Sequence, residues 1–298
     1  APLIDKTGFR VIDLAGSSLM EVMIKHAREN PWEGLDLLVD AMPRTRVRGG
    51  MRSNASVTFG VTPDALMDCW MRQLNEHGVR SFWIYDVLFN IDKMHRLAKV
   101  AKEYGSEVAG AVMFALSPVH TDEFFAEKAG QLAASPDVDT ILLYDTAGVL
   151  EKERLKTLVP AIKARIGDKP LEFHANNILG LSGKAYVDII DLGVTILHTA
   201  SRPMANGPSV PSTESVVRNI ELLGHTHNLD TSLFQPVADH FRAVGKAAGF
   251  LVDQFNEYDV LSTEHQIPGG MTGTLKAQLA QYNMTDRLGD VLEETAVV

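Results

Sequence analysis

TILHTASRPMANGPSVPSTE, residues 195–214, is the stretch on which the fold turns. Thr195-Ile196-Leu197 is a short apolar run rich in β-branched side chains, and the Arg-Pro-Met-Ala-Asn-Gly-Pro at 202–208 cannot continue a strand. Ser212-Thr213-Glu214 then opens a helix with a hydroxyl at the cap position. A strand that runs into a loop and then a helix is the repeating unit of parallel barrels. Such barrels present working side chains at the C-terminal ends of their strands, here Thr199.

The same unit recurs outward from this stretch. Strand-like runs at 9–15, 46–52, 81–87, 107–116, 140–145 and 171–176 precede 195–200, and residues with helical apolar spacing lie between them, as at 63–77 and 91–104. Strands alternating with helices mean a parallel sheet with helical crossovers. The expectation is an α/β protein of the TIM (β/α)8 type, for which seven of eight strands are visible. Residues 1–8 read as the last turns of a helix ended by Gly8 at the C′ position, so the first barrel strand is expected to be missing from these residues, either because an N-terminal segment is lacking or because that strand was lost or is supplied elsewhere. Residues 1–234 would form the barrel and 235–298 a helical extension packed on it.

Composition narrows the function. With 298 residues and Gly and Pro spread singly at turns, one large domain is expected. A net charge of -10 argues against nucleic acid as a partner, because that binding needs clustered Lys and Arg. The even-numbered Arg44, Arg46, Arg48 and Arg52 share one strand face, and the first three read as a solvated or salt-bridged row. Cys69 is alone, which excludes an intramolecular disulfide and a cysteine zinc site and makes a reducing cytoplasm the default. No apolar run reaches membrane-spanning length.

Several residues carry chemistry. His174 and Asn176 alternate on the run 171–176 and so face the same way, either as ligands to one divalent ion or as a hydrogen-bonded cluster at the barrel mouth. Asp145 reads as an acid–base group or as an acceptor for the loop that follows. Asp86 ends its strand as a mouth carboxylate or a cap. His198, next to Thr199, should point away from it toward the helices. His225-Thr226-His227 has metal-ligand spacing but falls in a turn, where a solvated loop is the better reading.

HTASRPMANGPSVPSTESVV at 198–217, NPWEGLDLLVDAMP at 30–43, Met51-Arg52-Ser53-Asn54, SPVHT at 117–121, YDTAG at 144–148 and EHQIPGG at 264–270 occur in one order along the chain. In that order they resemble the carboxyltransferase domain of pyruvate carboxylase and the oxaloacetate decarboxylase alpha subunit, within the hydroxymethylglutaryl-CoA-lyase-like metal-dependent barrel superfamily. The resemblance implies an enzyme acting on a small 2-oxo acid, pyruvate or oxaloacetate, through an enolate, by carboxyl transfer or decarboxylation. Thr199 would move the proton and Arg52 would hold the substrate carboxylate. Phe59 stands where the family has a substrate-binding Tyr, and Asp86 matches a family Asp at the barrel mouth. His174 would bind a divalent ion (magnesium, manganese or zinc), with Asn176 in place of a second His and Tyr144 in place of a carbamylated Lys. These replacements imply weak metal binding. The family's Arg-Asp-Gly motif and its Met-Lys-Met biotin site are absent, so any biotin would arrive on a separate carrier protein. A homodimer is expected. The alternatives are a biotin-independent aldolase or lyase on the same scaffold, and a degenerate barrel that serves as a binding or assembly subunit.

Overall fold

A computed structural model of the chain describes residues 1–56 and 60–297. Phe59 lies outside the described residues. The described residues form seven strands, β1 (Val11–Gly16), β2 (Arg46–Arg52), β3 (Val79–Tyr85), β4 (Glu107–Met113), β5 (Thr140–Asp145), β6 (Leu171–Ala175) and β7 (Ile196–Leu197). Every pairing is parallel and the spatial order is the chain order. The helices are α1 (Pro2–Thr7), α2 (Ser17–Val22), α3 (Pro31–Asp40), α4 (Asp64–Glu76), α5 (Ile91–Lys102), α6 (Asp122–Ala133), α7 (Lys152–Ile166), α8 (Ser182–Ile190) and α9 (Thr213–Leu222), followed by α10 (Phe234–Ala247), α11 (Leu261–His265), α12 (Gly269–Gln281) and α13 (Leu288–Val297). Among the described residues the sheet is that of a TIM-type barrel in which β1 and β7 are not paired with each other.

Alternation along the strands sorts the side chains into two sets. Val47, Met51, Phe82, Ile84, Val108, Val112, Ile141, Leu143 and Phe173 face outward and are buried under the helices. Ala109, Ala111 and Leu142 face inward and pack with Trp83, Tyr85 and Tyr144 as a separate apolar group in the bore. Gly50 is part of that fit, since a Cβ there would lie 2.5 Å from the Trp83 ring. Helix starts follow their caps: Asn30, Asn90, Thr121 and Ser212 each accept a backbone N–H of the first turn with the side-chain oxygen. α1 ends as the sequence indicates, with Gly8 in the left-handed region at φ 96°.

The strands predicted at 46–52 and 140–145 have the observed bounds, and most others differ by one to three residues at their ends. The last is shorter, because after His198, whose N still donates to Phe173 O at 3.0 Å, the backbone leaves β6 and Ala200 bridges to Ser212 instead. The opening between β1 and β7 is a cleft of about 350 Å³, lined from both strands and by Phe234, Val237 and Phe241 of α10. At the opposite side of the bore, the C-terminal part reaches the loop after β4, where the Gln266 side chain accepts from Leu116 N at 2.7 Å and donates to Leu116 O at 2.9 Å. No described helix is long and apolar enough to cross a membrane.

Candidate active site

The bore is polar at its base and aromatic toward its C-terminal mouth. At the base Arg48, fully buried on β2, donates to Glu172 at 2.6 Å, to Ser81 at 2.8 Å and, at 3.5 Å, to Glu107. Thr140 donates to Glu172 at 2.5 Å, and Arg46 reaches Glu107 at 2.9 Å. Arg48 is therefore buried and salt-bridged, not solvated. Burial opposes ionisation of Glu172, but its hydrogen bond from His198 and the hydrogen bond and charge of Arg48 outweigh that and hold the carboxyl well below the usual range. A buried charge survives only with such partners.

Above this base stand two histidines. His198 Nε2 lies 2.9 Å from Glu172 Oε2, and its Nδ1 lies 3.2 Å from His174 Nδ1. His174 Nε2 lies 3.1 Å from Asn176 Oδ1, while Asn176 Nδ2 donates to Thr146 O at 2.8 Å. Burial lowers the His174 pKa to about 3, the charge of His198 adds to the effect, and the hydrogen bond with Asn176 opposes it, so His174 is neutral at pH 7. His198 thus faces the bore, contrary to the sequence expectation. The alternation at 198/199 holds, but its sides are reversed.

That reversal moves Thr199. Its hydroxyl is 2.8 Å from that of Thr213 at the start of α9, and Thr199 also lines the cleft beside β1. The structure does not bring it together with His174 and Tyr144. Asp145 is likewise turned out of the bore, with its carboxylate accepting from Gly148 N and Leu150 N at 2.8 Å each. Burial raises its pKa to about 6 against the pull of those amides. Gly148, at φ 70°, permits this turn and lets the loop lie against Asn176, whose carbonyl oxygen a Cβ would approach to 2.2 Å. Asp86 accepts from Ser53 Oγ and, at 2.8 Å, from Leu88 N, which makes it a loop cap. His225 and His227 sit beyond α9, near Asp191 and Glu221, as a turn.

The mouth contains the remaining sequence-predicted residues. Tyr144 stands edge-on to His174 with ring centroids 4.5 Å apart and to Trp83 at 5.0 Å. Trp83 stacks on Tyr85 at 5.0 Å, and Tyr85 Oη accepts from Arg52 Nε at 3.0 Å. Burial raises the Tyr144 pKa above its ordinary value, with Tyr85 and Asp13 adding to the effect, so the phenol stays protonated and remains a donor. The structure therefore gathers Arg52, Tyr144, His174 and Asn176, and separates Thr199, Asp145 and Asp86 from them.

The donors at His174 do not fit a firmly held divalent ion. Both ring nitrogens already face hydrogen-bond partners, Asn176 offers one neutral oxygen, and among the described residues no three His, Cys, Asp or Glu side chains gather as a metal cage. Sequence reading missed Trp83, Tyr85, Glu172 and Asp13. Parity on the strand was the available signal for the first three, since Trp83 and Tyr85 alternate and Glu172 shares a face with His174. Asp13 on β1 lies 3.8 Å from His198 Nδ1 across the opening, a contact between strands far apart in sequence.

Comparison with known proteins bears out the resemblance over nearly the whole chain. The chain is 30% identical over 295 residues to a pyruvate carboxylase subunit of Methanocaldococcus jannaschii, covering 99% of this chain and 52% of that protein. It is 28% identical to the methylmalonyl-CoA carboxyltransferase 5S subunit of Propionibacterium freudenreichii subsp. shermanii, covering 98% and 57% respectively. The chain thus spans about half the length of these curated relatives. Among solved structures, the carboxyl transferase domain of Rhizobium etli pyruvate carboxylase with pyruvate superposes with a TM-score of 0.88 at 20% identity, over 96% of this chain and 50% of that one. The same domain with pyruvate and biocytin gives 0.88 over 96% and 49%. At that identity the superposition establishes the fold. No protein-family profile matches the chain.

Proposed function

We propose that this chain is the barrel of a carboxyltransferase that moves a carboxyl group to or from a small 2-oxo acid of the pyruvate type. The observation that carries the proposal is sequence similarity along 99% of the chain to a pyruvate carboxylase subunit. A biotin carried by a separate protein would supply or accept the carboxyl group when bound. That carrier, a homodimer and a cytoplasmic location belong to the same proposal.

The chain's own residues suit the substrate. Arg52 is placed at the mouth, with its Nε donating to Tyr85, and its guanidinium charge suits a substrate carboxylate. Trp83, Tyr85 and Tyr144 wall the bore with aromatic surface that excludes water, which strengthens every polar contact inside. The protonated Tyr144 phenol is a donor suited to the oxygen that becomes negative as the 2-oxo acid enolises. The donors at His174 do not hold a divalent ion firmly, so these roles belong to the chain's own side chains. The proton-moving role that the resemblance gives Thr199 is not retained, because its hydroxyl is turned onto α9.

Calorimetry with pyruvate and oxaloacetate, and oxaloacetate decarboxylation with and without a biotinylated carrier, test the proposal. Binding weakened roughly ten- to a hundredfold in Arg52→Lys, as expected for a lost charge-assisted hydrogen bond, together with carrier-stimulated turnover, supports it. No 2-oxo acid binding by the unaltered protein would overturn it in favour of a barrel that serves as a binding subunit.

A further inference from the structure

The hydrogen bonds in the bore form one directional chain from Glu172 to Asn176, and their polarity can be worked out end to end. Asn176 Nδ2 donates to the Thr146 carbonyl, which fixes the amide so that Oδ1 faces His174. An oxygen acceptor at 3.1 Å requires a proton on His174 Nε2. Nδ1 of the neutral ring is then a lone pair, and it faces His198 Nδ1 at 3.2 Å, so that nitrogen must donate. The other nitrogen of His198 faces the Glu172 carboxylate at 2.9 Å, so it must donate too. Arg48 Nη1 also approaches His198 Nε2, but at 3.4 Å it is the longer contact, and the same guanidinium donates to Glu172 at 2.6 Å.

We infer that Glu172, acting through His198, fixes the tautomer and ring orientation of His174, so that Glu172 and His198 are positioning residues for the bore. Glu172 suits this task because it is itself immobilised. It is fully buried, Arg48 donates to both of its oxygens, at 2.6 and 3.3 Å, and Thr140 to one of them. Asp13, 3.8 Å from His198 Nδ1, adds a second carboxylate on the donor side of the ring. With the proton directed to Nε2, His174 points it at the mouth, toward the residues that hold substrate in the carboxyl-transfer reading. Only that last consequence rests on the proposed function; the hydrogen-bond order stands without it.

Glutamine at 172 keeps the size and one acceptor but removes the charge that favours two donors on His198. Left with one donor, directed at position 172, His198 would offer a lone pair at Nδ1, and His174 would satisfy it by moving its own proton to Nδ1. The full chain, labelled with ¹⁵N-histidine, reports this directly through the nitrogen that carries the proton of each ring. The expected result is the Nε2–H form of His174 in the unaltered protein, with His174 shifted wholly or partly to Nδ1–H in Glu172→Gln. His198→Asn, which removes the intervening ring without touching the ion pair at the base, should also release His174 from the pure Nε2–H form and covers the case in which Glu172→Gln fails to fold. Glu172→Asp, which restores the charge, should recover the original tautomer in part. A His174 that stays Nε2–H in whichever of Glu172→Gln and His198→Asn folds would make Glu172 a purely structural partner of Arg48 and overturn the inference, and so would an Nδ1–H ring in the unaltered protein. Because the readout needs neither substrate nor carrier, its failure is distinguishable from failure of the carboxyl-transfer proposal.

Discussion

At the scale of single residues, the bore makes stability depend on acid through His174. In the unfolded chain this side chain titrates near 6.5, and in the fold it does so at about 3. Between those values the unfolded chain holds a proton that the folded one does not, so stability falls as pH drops through 6.5 and the loss is complete near 3. Above 6.5 the group contributes no slope. At 1.36 kcal/mol per unit, moving from pH 7 to pH 5 should cost up to about 2 kcal/mol from this residue. Asp145 works in the opposite sense. With its folded pKa raised to about 6, it adds stability that is full below its unfolded value and lost as pH rises through 6. Urea unfolding of the protein and of His174→Gln at both pH values separates the two, since Asp145 is common to both. A His174→Gln variant with the same pH 7 to pH 5 loss as its parent would show that the ring is not kept neutral. Thr199 gives the complementary residue-level prediction. With its hydroxyl on Thr213, Thr199→Ala should lose about 0.5–1.5 kcal/mol of stability, the worth of one hydrogen bond, and keep turnover within a few-fold. A fall of a hundredfold or more in turnover at unchanged stability would return Thr199 to the mechanism.

At the scale of elements, the start of α9 shows what a sequence states plainly. Ser212 before Thr213-Glu214 reads as a cap, and its Oγ accepts from Ser215 N at 3.2 Å. Ser212→Ala should therefore cost about 1 kcal/mol in chemical denaturation, and Ser212→Gly only a few tenths; no measurable loss in Ser212→Ala would show that the helix start is held by the Ala200 bridge instead. Caps, turn glycines and strand runs are local, so they were readable along most of the barrel. Facing is also local, but only where a strand is long enough to show its burial pattern. On β6 the alternation of Leu171, Phe173 and Ala175 with Glu172 and His174 leaves no doubt about the two sides. β7 offers only Ile196 and Leu197, both apolar, and from those alone His198 and Thr199 can be assigned to either face. The side is decided by Glu172 and His174 on the neighbouring strand, a relation across 24 to 26 residues that no spacing rule encodes. For the same reason Tyr144, Arg52 and His174 were legible as individual residues, whereas the aromatic wall that joins them and the ionic base beneath were not.

At the scale of the whole molecule, the edges that β1 and β7 form among the described residues set where stability is concentrated. β2 to β6 each have a hydrogen-bonded neighbour on both sides, whereas among the described residues β1 pairs only with β2 and β7 only with β6. β7 has two paired positions, Ile196 and Leu197, and both strands border the cleft of about 350 Å³. A strand with one neighbour can be released at the loss of one ladder, while a central strand can open only if the sheet parts on both sides. Side-chain links across the gap, from the 47% exposed Arg10 to Glu172 at 3.7 Å and from Asp13 to His198, do little to change this. Asp13 approaches His198 no closer than 3.8 Å and is 44% exposed, so water screens that pair. Native-state hydrogen exchange should then divide the barrel. Amides of β3, β4 and β5 should exchange only through global unfolding, and those of β1 and β7 through local opening, with protection lower by at least about tenfold, or ~1.4 kcal/mol. The base of the bore gives the internal control. Glu107 on β4 and Glu172 on β6 are tied through Arg48, so the β4–β6 body should exchange as one unit. If β1 were as protected as β4, an edge open on one side would not be its weak point, and the barrel would have to be treated as one cooperative body despite the break in its sheet.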